Sequence, residues 1–407
     1  MTDTPPLGRE RWMLLLLAAV QFTHMMDFMI VMPLGPEFMR LFGISAASFG
    51  VLVSAYTLAS AVMGLFGGLW LDRFDRKRTL LALFAGFIAA TLMCGAADGY
   101  LGLLAARTVA GACAGLMSAV IQAIIGDLIP VERRGRAIGT VMASYGLSAV
   151  AGVPSGLWLA SLWGWRSPFW AIGALAAGAW LGLLVLLPAI DRHLSSTREA
   201  PGATVPASLW APQLALGWVL TFSVVFSGFL LIPYLSPFMV GNLGLRMQDL
   251  SWIYLCGGAA SLLSARGIGR LVDRHGPARV LGGLLIGTTV PYLVFSHLSA
   301  SPLPVVAGVF VLFMGLTSGR VIPTVALVAS RVPPALRGRY LAVNMAASDG
   351  ASGLGAWVSG LLISVAPGGA LVGFGLVGWI AVGVTGCALF ILWTLTRRAV
   401  ALTTAPA

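Results

Sequence analysis

Four ionisable side chains stand inside long apolar stretches of this 407-residue chain: Asp27, Arg107, Arg320 and Asp349. Placing such a group in the middle of a membrane helix costs at least about 2.5 kcal/mol, so each is expected to face a partner or a polar cavity. An aspartate and an arginine buried together suit proton binding. Desolvation favours the neutral acid, a nearby cation favours the carboxylate, and a change in exposure tips the balance. Asp27 and Arg107 are predicted at one level: with about 1.5 Å of rise per residue, they lie roughly 14 and 10 Å below the same membrane face. Arg320 and Asp349 share another level, each roughly 12–16 Å from the opposite face. His24 precedes Asp27 by one turn on the same helical face. It is placed either to share the proton or to be an ordinary hydrogen-bonded interior histidine. For Asp27 and Arg107 the alternative is a static ion pair joining two helices, since structural pairs perturb titration too.

The elements that must position these groups are membrane spans. The chain is 58% hydrophobic and 10% charged, with a mean hydropathy of +0.92, whereas a soluble domain carries about 25% charged residues. Apolar stretches of about 17–25 residues recur at 12–36, 48–71, 79–97, 100–126, 136–161 and 166–188, then at 213–238, 249–270, 279–297, 302–328, 338–365 and 369–395. Read as helices, these are twelve spans, with Asp27 in the first, Arg107 in the fourth, Arg320 in the tenth and Asp349 in the eleventh. The first stretch is too long for a signal peptide, contains Asp27 and is followed by no small-residue cleavage site, so it is read as a span.

The formal charge of +11 is a topology signal. Basic residues cluster at alternate span ends: Arg9 and Arg11, then Arg73, Arg76, Lys77 and Arg78, then Arg133, Arg134 and Arg136. The pattern continues with Arg192 and Arg198, with Arg266, Arg270, Arg274 and Arg279, with Arg331, Arg337 and Arg339, and with Arg397 and Arg398. On the other side lie Arg40, Arg166 and Arg246. The positive-inside rule therefore puts both termini and the basic loops in the cytoplasm, and the same distribution argues against nucleic acid as a partner. Cys94, Cys113, Cys256 and Cys387 fall inside spans without a CxxC pair or a histidine at ligand spacing, and read as small packing residues. No metal or cofactor is expected, and with no Walker motif the chain is not driven by ATP.

The longest polar gap, 189–212, separates a bundle over 1–188 from one over 213–407, six spans each and in the same orientation. The loop Gly68-Leu69-Trp70-Leu71-Asp72-Arg73-Phe74-Asp75-Arg76-Lys77-Arg78 returns 201 residues later as Gly269-Arg270-Leu271-Val272-Asp273-Arg274-His275-Gly276-Pro277-Ala278-Arg279. Ile129-Pro130-Val131-Glu132-Arg133-Arg134-Gly135-Arg136 returns as Val332-Pro333-Pro334-Ala335-Leu336-Arg337-Gly338-Arg339, and Gly111 with Gly115 as Gly315 with Gly319. Such a doubling is how many transporters are built. The four buried charges do not repeat: Asp27 aligns near Phe229 and Asp349 near Gly146. Scaffold features are doubled and these charges are not, which points to chemistry.

The first loop resembles the Gly-x-x-x-Asp-Arg-x-Gly-Arg-Lys signature of the major facilitator superfamily, and the likeness covers essentially the whole chain. Asp75 stands where that family has its second glycine and Trp70 where it usually has leucine; the second loop keeps the glycine as Gly276. Arg107-x-x-x-Gly111-x-x-x-Gly115 resembles the span-four motif whose arginine is tied to proton coupling. Gly152-Val153-Pro154-Ser155-Gly156 is closer to sugar-efflux permeases of the arabinose exporter type than to the Gly-x-x-x-Gly-Pro-x-x-Gly-Gly of other exporters. Proline and glycines within one turn kink helices.

The resemblance implies an all-α integral membrane protein of two pseudo-symmetric six-helix bundles. It implies a proton-coupled secondary transporter of the bacterial inner membrane rather than an enzyme, an antiporter exporting drug-like amphipathic compounds or small metabolites by alternating access. Alternatives are a sugar or amino-acid-derivative efflux permease, an uptake symporter, and a non-transporting membrane sensor. The expected partners are a small-molecule substrate, protons and the lipid bilayer, with the chain a monomer.

In that family spans one, four, seven and ten line a central cavity, so Asp27, Arg107 and His24 are expected to couple protons. Asp27, Met26, Gln122, Tyr145 and Phe226 are candidates for the substrate surface, as are Phe229, Tyr234, Arg320, Asn344 and Asp349; the Met and aromatic residues could equally face lipid. Methionine-rich surfaces accommodate varied ligands. Gly68, Asp72, Arg73, Arg76 and Asp127 form the first expected gating loop, and Gly269, Asp273, Arg274 and Gly276 the second. In each, the span-end aspartate could accept hydrogen bonds from a helix N-terminus and an arginine, while the basic residues could instead only anchor topology beside anionic lipid. Gly152, Pro154 and Gly156 are the expected helix kink.

Overall fold

Inside a bilayer every backbone N–H and C=O must be satisfied by the chain itself, so apolar stretches of this length fold as helices. The computed structural model describes residues 7–70, 74–188, 212–333 and 336–403; Asp72, Arg73 and residues 189–211 of the linker lie outside the described residues. The helices before the linker are α1 (Leu7–Ile30), α2 (Gly35–Phe42), α3 (Ala46–Trp70), α4 (Arg76–Ala96), α5 (Tyr100–Leu128), α6 (Val131–Leu147), α7 (Val153–Trp163) and α8 (Ser167–Leu186). After it come α9 (Pro212–Phe229), α10 (Leu235–Gly241), α11 (Met247–His275), α12 (Pro277–Ser296), α13 (Leu303–Gly319), α14 (Val321–Ser330), α15 (Arg337–Leu362) and α16 (Phe374–Thr403).

These pack as two compact units: Met1–Leu34 with Ala55–Thr204, and Gly35–Ser54 with Val205–Ala407. The grouping differs from a simple division at the linker because α2 packs on α10. In the first unit α4 lies along α5 and α8, and α1 along α6 and α8. Its core runs through Leu17, Phe84, Phe87, Met117, Ile124 and Leu183, all fully buried or nearly so. In the second unit α11 pairs with α13, α9 with α15, and α16 with both α9 and α12. Lipid is as apolar as leucine, so these contacts depend on close packing and small residues rather than on expulsion of water.

Several expected spans are interrupted, each where backbone hydrogen bonding fails. The first, expected over 12–36, stops at Ile30, and α2 follows outside the span after a turn that contains Pro33. The seventh breaks between α9 and α10 at a 3-10 turn, Ile232–Tyr234, holding Pro233. The tenth divides at Arg320: Pro323 lacks the N–H that would bond Gly319, and α13 ends there. The eleventh ends at Leu362 and the twelfth begins at Phe374 rather than at 369. Between them Ser364–Val365 (β1) and Leu371–Val372 (β2) pair as an antiparallel hairpin. Ten segments among the described residues are long and apolar enough to cross a membrane. The other two expected spans, α11 and α15, have 29 and 26 residues but carry more polar and charged side chains, such as Arg266, Arg270, Asn344 and Asp349.

Candidate functional site

The first unit brings Asp27 of α1 and Arg107 of α5 together with no exposed side-chain surface on either. Arg107 Nη1 donates to Asp27 Oδ2 at 2.5 Å and to the Asp27 backbone carbonyl at 3.0 Å. The guanidinium also lies over the ring of Tyr56 in α3, 4.3 Å from its centroid. Tyr56 is itself held: its hydroxyl donates to the His24 carbonyl at 3.2 Å, and its ring stacks on Phe28 at 5.4 Å. α3 and α5 approach this closely because of Gly111 and Gly115. A Cβ on either would collide with the backbone of Tyr56 or Ser60. The span-four glycines therefore set the distance at which an arginine from α5 can lie against a tyrosine from α3.

The pair is not saturated. Asp27 Oδ1 and Arg107 Nε and Nη2 are buried with no hydrogen-bond partner, as are both ring nitrogens of His24. A desolvated carboxylate with one oxygen committed to a guanidinium and one uncommitted has room for a proton. His24 is buried one turn away, and the structure gives no hydrogen bond between it and Asp27.

In the second unit Arg320 sits at the α13–α14 junction, 1% exposed. It donates through Nη1 to Ser227 Oγ at 3.2 Å, through Nη2 to the Tyr292 hydroxyl and through Nε to the Thr317 carbonyl at 3.4 Å. Asp349, expected at its level, is half-buried on α15. Asn344 is buried and accepts from the Thr221 hydroxyl at 2.7 Å. Tyr234 has no exposed surface; its hydroxyl donates to the carbonyls of Ala46 at 2.8 Å and Ala356 at 3.3 Å. Phe226 stacks on Phe222 and, like Phe229, Gln122 and Tyr145, is half-buried. Met26 is buried against Gly152 and Gly156.

The expected kink residues lie at a change in helix type. Pro154 cannot donate to the preceding turn, and the chain passes through a π-helical turn, Ser148–Gly152, before α7 begins. The two glycines leave room for the Met26 side chain.

At the loops, Arg76 Nε donates to Asp127, joining the start of α4 to the end of α5. Gly68 lies in the last turn of α3. Asp75 takes φ −57° and accepts the backbone N–H of Arg78 at 2.7 Å, so it caps α4. Its counterpart Gly276 takes φ +82° and ψ 152° instead, ending α11 and leading directly into Pro277 of α12. Gly269 lies within α11, and Asp273 and Arg274 are exposed in its last turns. Sequence reasoning missed Tyr56, whose apolar surroundings carry no signal beyond an aromatic in a span. It also missed Arg134, whose donors reach the carbonyls of Ile129 at 2.8 Å and Gly126 at 2.5 Å and close the end of α5.

The family model of the Major Facilitator Superfamily matches residues 17–229 and 217–407. The chain belongs to this superfamily. As a major facilitator protein it is a multi-pass membrane transporter of small molecules, not an enzyme. It is 29% identical over 370 residues to the chloramphenicol resistance protein of Streptomyces lividans, covering 86% of this chain and 93% of that one. Among solved major facilitator folds, a bacterial homolog of the human lysosomal transporter Spinster matches with a TM-score of 0.77 at 17% identity, covering 97% of this chain and 98% of that one. A D-xylose-proton symporter matches with a TM-score of 0.77 at 17% identity, covering 95% and 97%. At these identities the solved structures speak for the fold alone.

Proposed function

We propose that this transporter exports an amphipathic, drug-like compound or a small metabolite across the bacterial inner membrane in exchange for protons, as a monomer with both termini in the cytoplasm. The observation that carries the reading is the buried Asp27–Arg107 pair with its spare carboxylate oxygen. A proton arriving at Asp27 neutralises the carboxylate and leaves Arg107 with the Asp27 backbone carbonyl and the Tyr56 ring as its remaining partners. Loss of the proton restores the ion pair. His24, on the same helix, is the candidate relay. An ion pair remade in each cycle supplies the two-state element that exchange requires. The chloramphenicol resistance relative supports export of an amphipathic compound. Arg320, Asn344, Asp349, Phe226 and Phe229 are the candidate substrate contacts on the second unit; Gln122 and Tyr145 are separate candidates on the first.

A second reading, efflux of a sugar or amino-acid derivative, is favoured by the Gly152-Val153-Pro154-Ser155-Gly156 segment.

Reconstitution into liposomes holding a pH-sensitive dye tests the first reading, with chloramphenicol as the first probe. Proton movement should accompany the compound in the wild type and vanish in Asp27→Asn. Compound movement without proton flux, or normal coupling in Asp27→Asn, would overturn it.

A further inference from the structure

Several buried threonines of this chain satisfy their hydroxyls on their own helix. Thr23 donates to the Val20 carbonyl at 2.9 Å, Thr288 to that of Leu285 at 2.9 Å and Thr385 to that of Ala381 at 2.8 Å. Thr91 of α4 does not: it has no exposed surface, and its Oγ1 has no hydrogen-bond partner. A buried hydroxyl left unpaired is costly, although a carbonyl one turn back on the same helix could satisfy it. The neighbour it meets instead is the Asp27 carboxyl group, with which the Thr91 side chain interacts. Asp27 Oδ1 is likewise buried and without a hydrogen-bond partner.

The hairpin of α4 and α5 brings Thr91 to that place. Thr91 lies five residues before the end of α4 and Arg107 seven residues after the start of α5, so the two stand within about 3 Å of one height. α4 lies along α5 and touches α1 as well. Arg107 therefore reaches the carboxyl from one helix, through Oδ2, and Thr91 from another. The other titratable groups around it are His24 on α1, Cys94 one turn along α4, and Tyr56 of α3 beneath Arg107. Of the further helices packed on α1, α7 and α8 carry no titratable side chain, and α6 carries Tyr145 and the charged residues of its first two turns.

We propose that Thr91 holds the free oxygen of the Asp27 carboxyl group in both of its protonation states. When Asp27 is ionised, the Thr91 hydroxyl donates to Oδ1. When a proton arrives on Oδ1, the hydroxyl turns and accepts from the new O–H; the proton stays on Asp27 and none passes to the threonine. Arg107 cannot take this part, because a guanidinium only donates. A partner that exchanges donor for acceptor lets the carboxyl gain and lose a proton without stranding a buried polar atom. This role rests on the exchange reading above and deepens it.

The test is infrared difference spectroscopy of the purified full-length protein in nanodiscs, titrated over pH. The carbonyl band of protonated Asp27 is the one that Asp27→Asn lacks. Thr91→Val keeps the side-chain shape and removes the hydroxyl. It should raise the pH at which that band is half lost by about one unit, because a hydrogen bond to a carboxylate is stronger than one to the neutral acid. Thr91→Ser, which keeps the hydroxyl, should titrate like the wild type. If Thr91→Val does not fold, Thr91→Ala carries the test. An unchanged or lowered midpoint in Thr91→Val, or the same rise in Thr91→Ser, would overturn the role of Thr91 and leave the exchange reading standing. A wild type in which no Asp27 band titrates would overturn both.

Discussion

Arg107 holds Asp27 from a single nitrogen, at 2.5 Å to the carboxylate and 3.0 Å to the backbone carbonyl of the same residue. The second contact survives protonation of the carboxylate, so the arginine stays over α1 when the charge pair is lost. Removing only one member should therefore be far worse than removing both. Asp27→Ala leaves a buried, unpaired guanidinium and is expected to cost roughly 3–5 kcal/mol. Asp27→Asn combined with Arg107→Gln should recover most of that stability in thermal unfolding without restoring proton flux.

Tyr56 is the third member of this group. Tyr56→Leu removes the ring beneath Arg107 and should destabilise the fold by about 2 kcal/mol for a desolvated cation–π contact, with Tyr56→Phe much closer to wild type. Gly111→Ala should be at least as damaging, since the new Cβ meets backbone rather than a movable side chain. Overpacking of this kind costs about 1–3 kcal/mol. Unfolding midpoints in detergent measure both.

The two copies of the loop use different chemistry at one position. Asp75→Ala should cost about 1 kcal/mol through loss of a helix N-cap, and Asp75→Gly only a few tenths. Gly276→Ala should cost about 1–3 kcal/mol, because φ +82° with ψ 152° is a conformation open essentially to glycine alone. Equal effects of alanine and glycine at position 75 would show that the cap is not what Asp75 supplies.

Arg76 and Asp127 join α4 to α5 at the loop face, with Asp127 partly exposed. Asp127→Asn should change stability by no more than about 1 kcal/mol, yet slow turnover if the pair is made and broken during transport. Initial-rate assays in liposomes, compared with unfolding midpoints, separate the two effects.

Glu37 lies beyond the first span, on α2, and burial raises its titration above the ordinary 4.5, partly offset by the nearby Arg40 charge. The folded state therefore holds this proton more tightly than the unfolded chain does. Its contribution to stability is full below about pH 4.5 and is lost as pH rises through the folded-state value. Glu37→Gln should flatten that part of the stability–pH curve, and an unchanged curve would exclude Glu37 as its source.

The sequence by itself determined the membrane class, the doubled architecture and the rarity of its buried charges, because these follow from hydropathy and spacing along the chain. It placed Asp27 and Arg107 at one depth, since helical rise converts residue number into height. Rise says nothing about azimuth. What Arg320 would meet depended on how α13 and α14 turn about their axes, and the fold gave it the hydroxyls of Ser227 and Tyr292. Tyr56 was illegible for the same reason: its role exists only because glycines on α5 let two helices close to backbone contact. Breaks at proline were readable in principle from the missing N–H, but Arg320 became a junction residue only through the helix ends that meet there. Charge inventory and span order belong to the sequence. Which charges are compensated is a property of side-chain direction, and tertiary packing decided it.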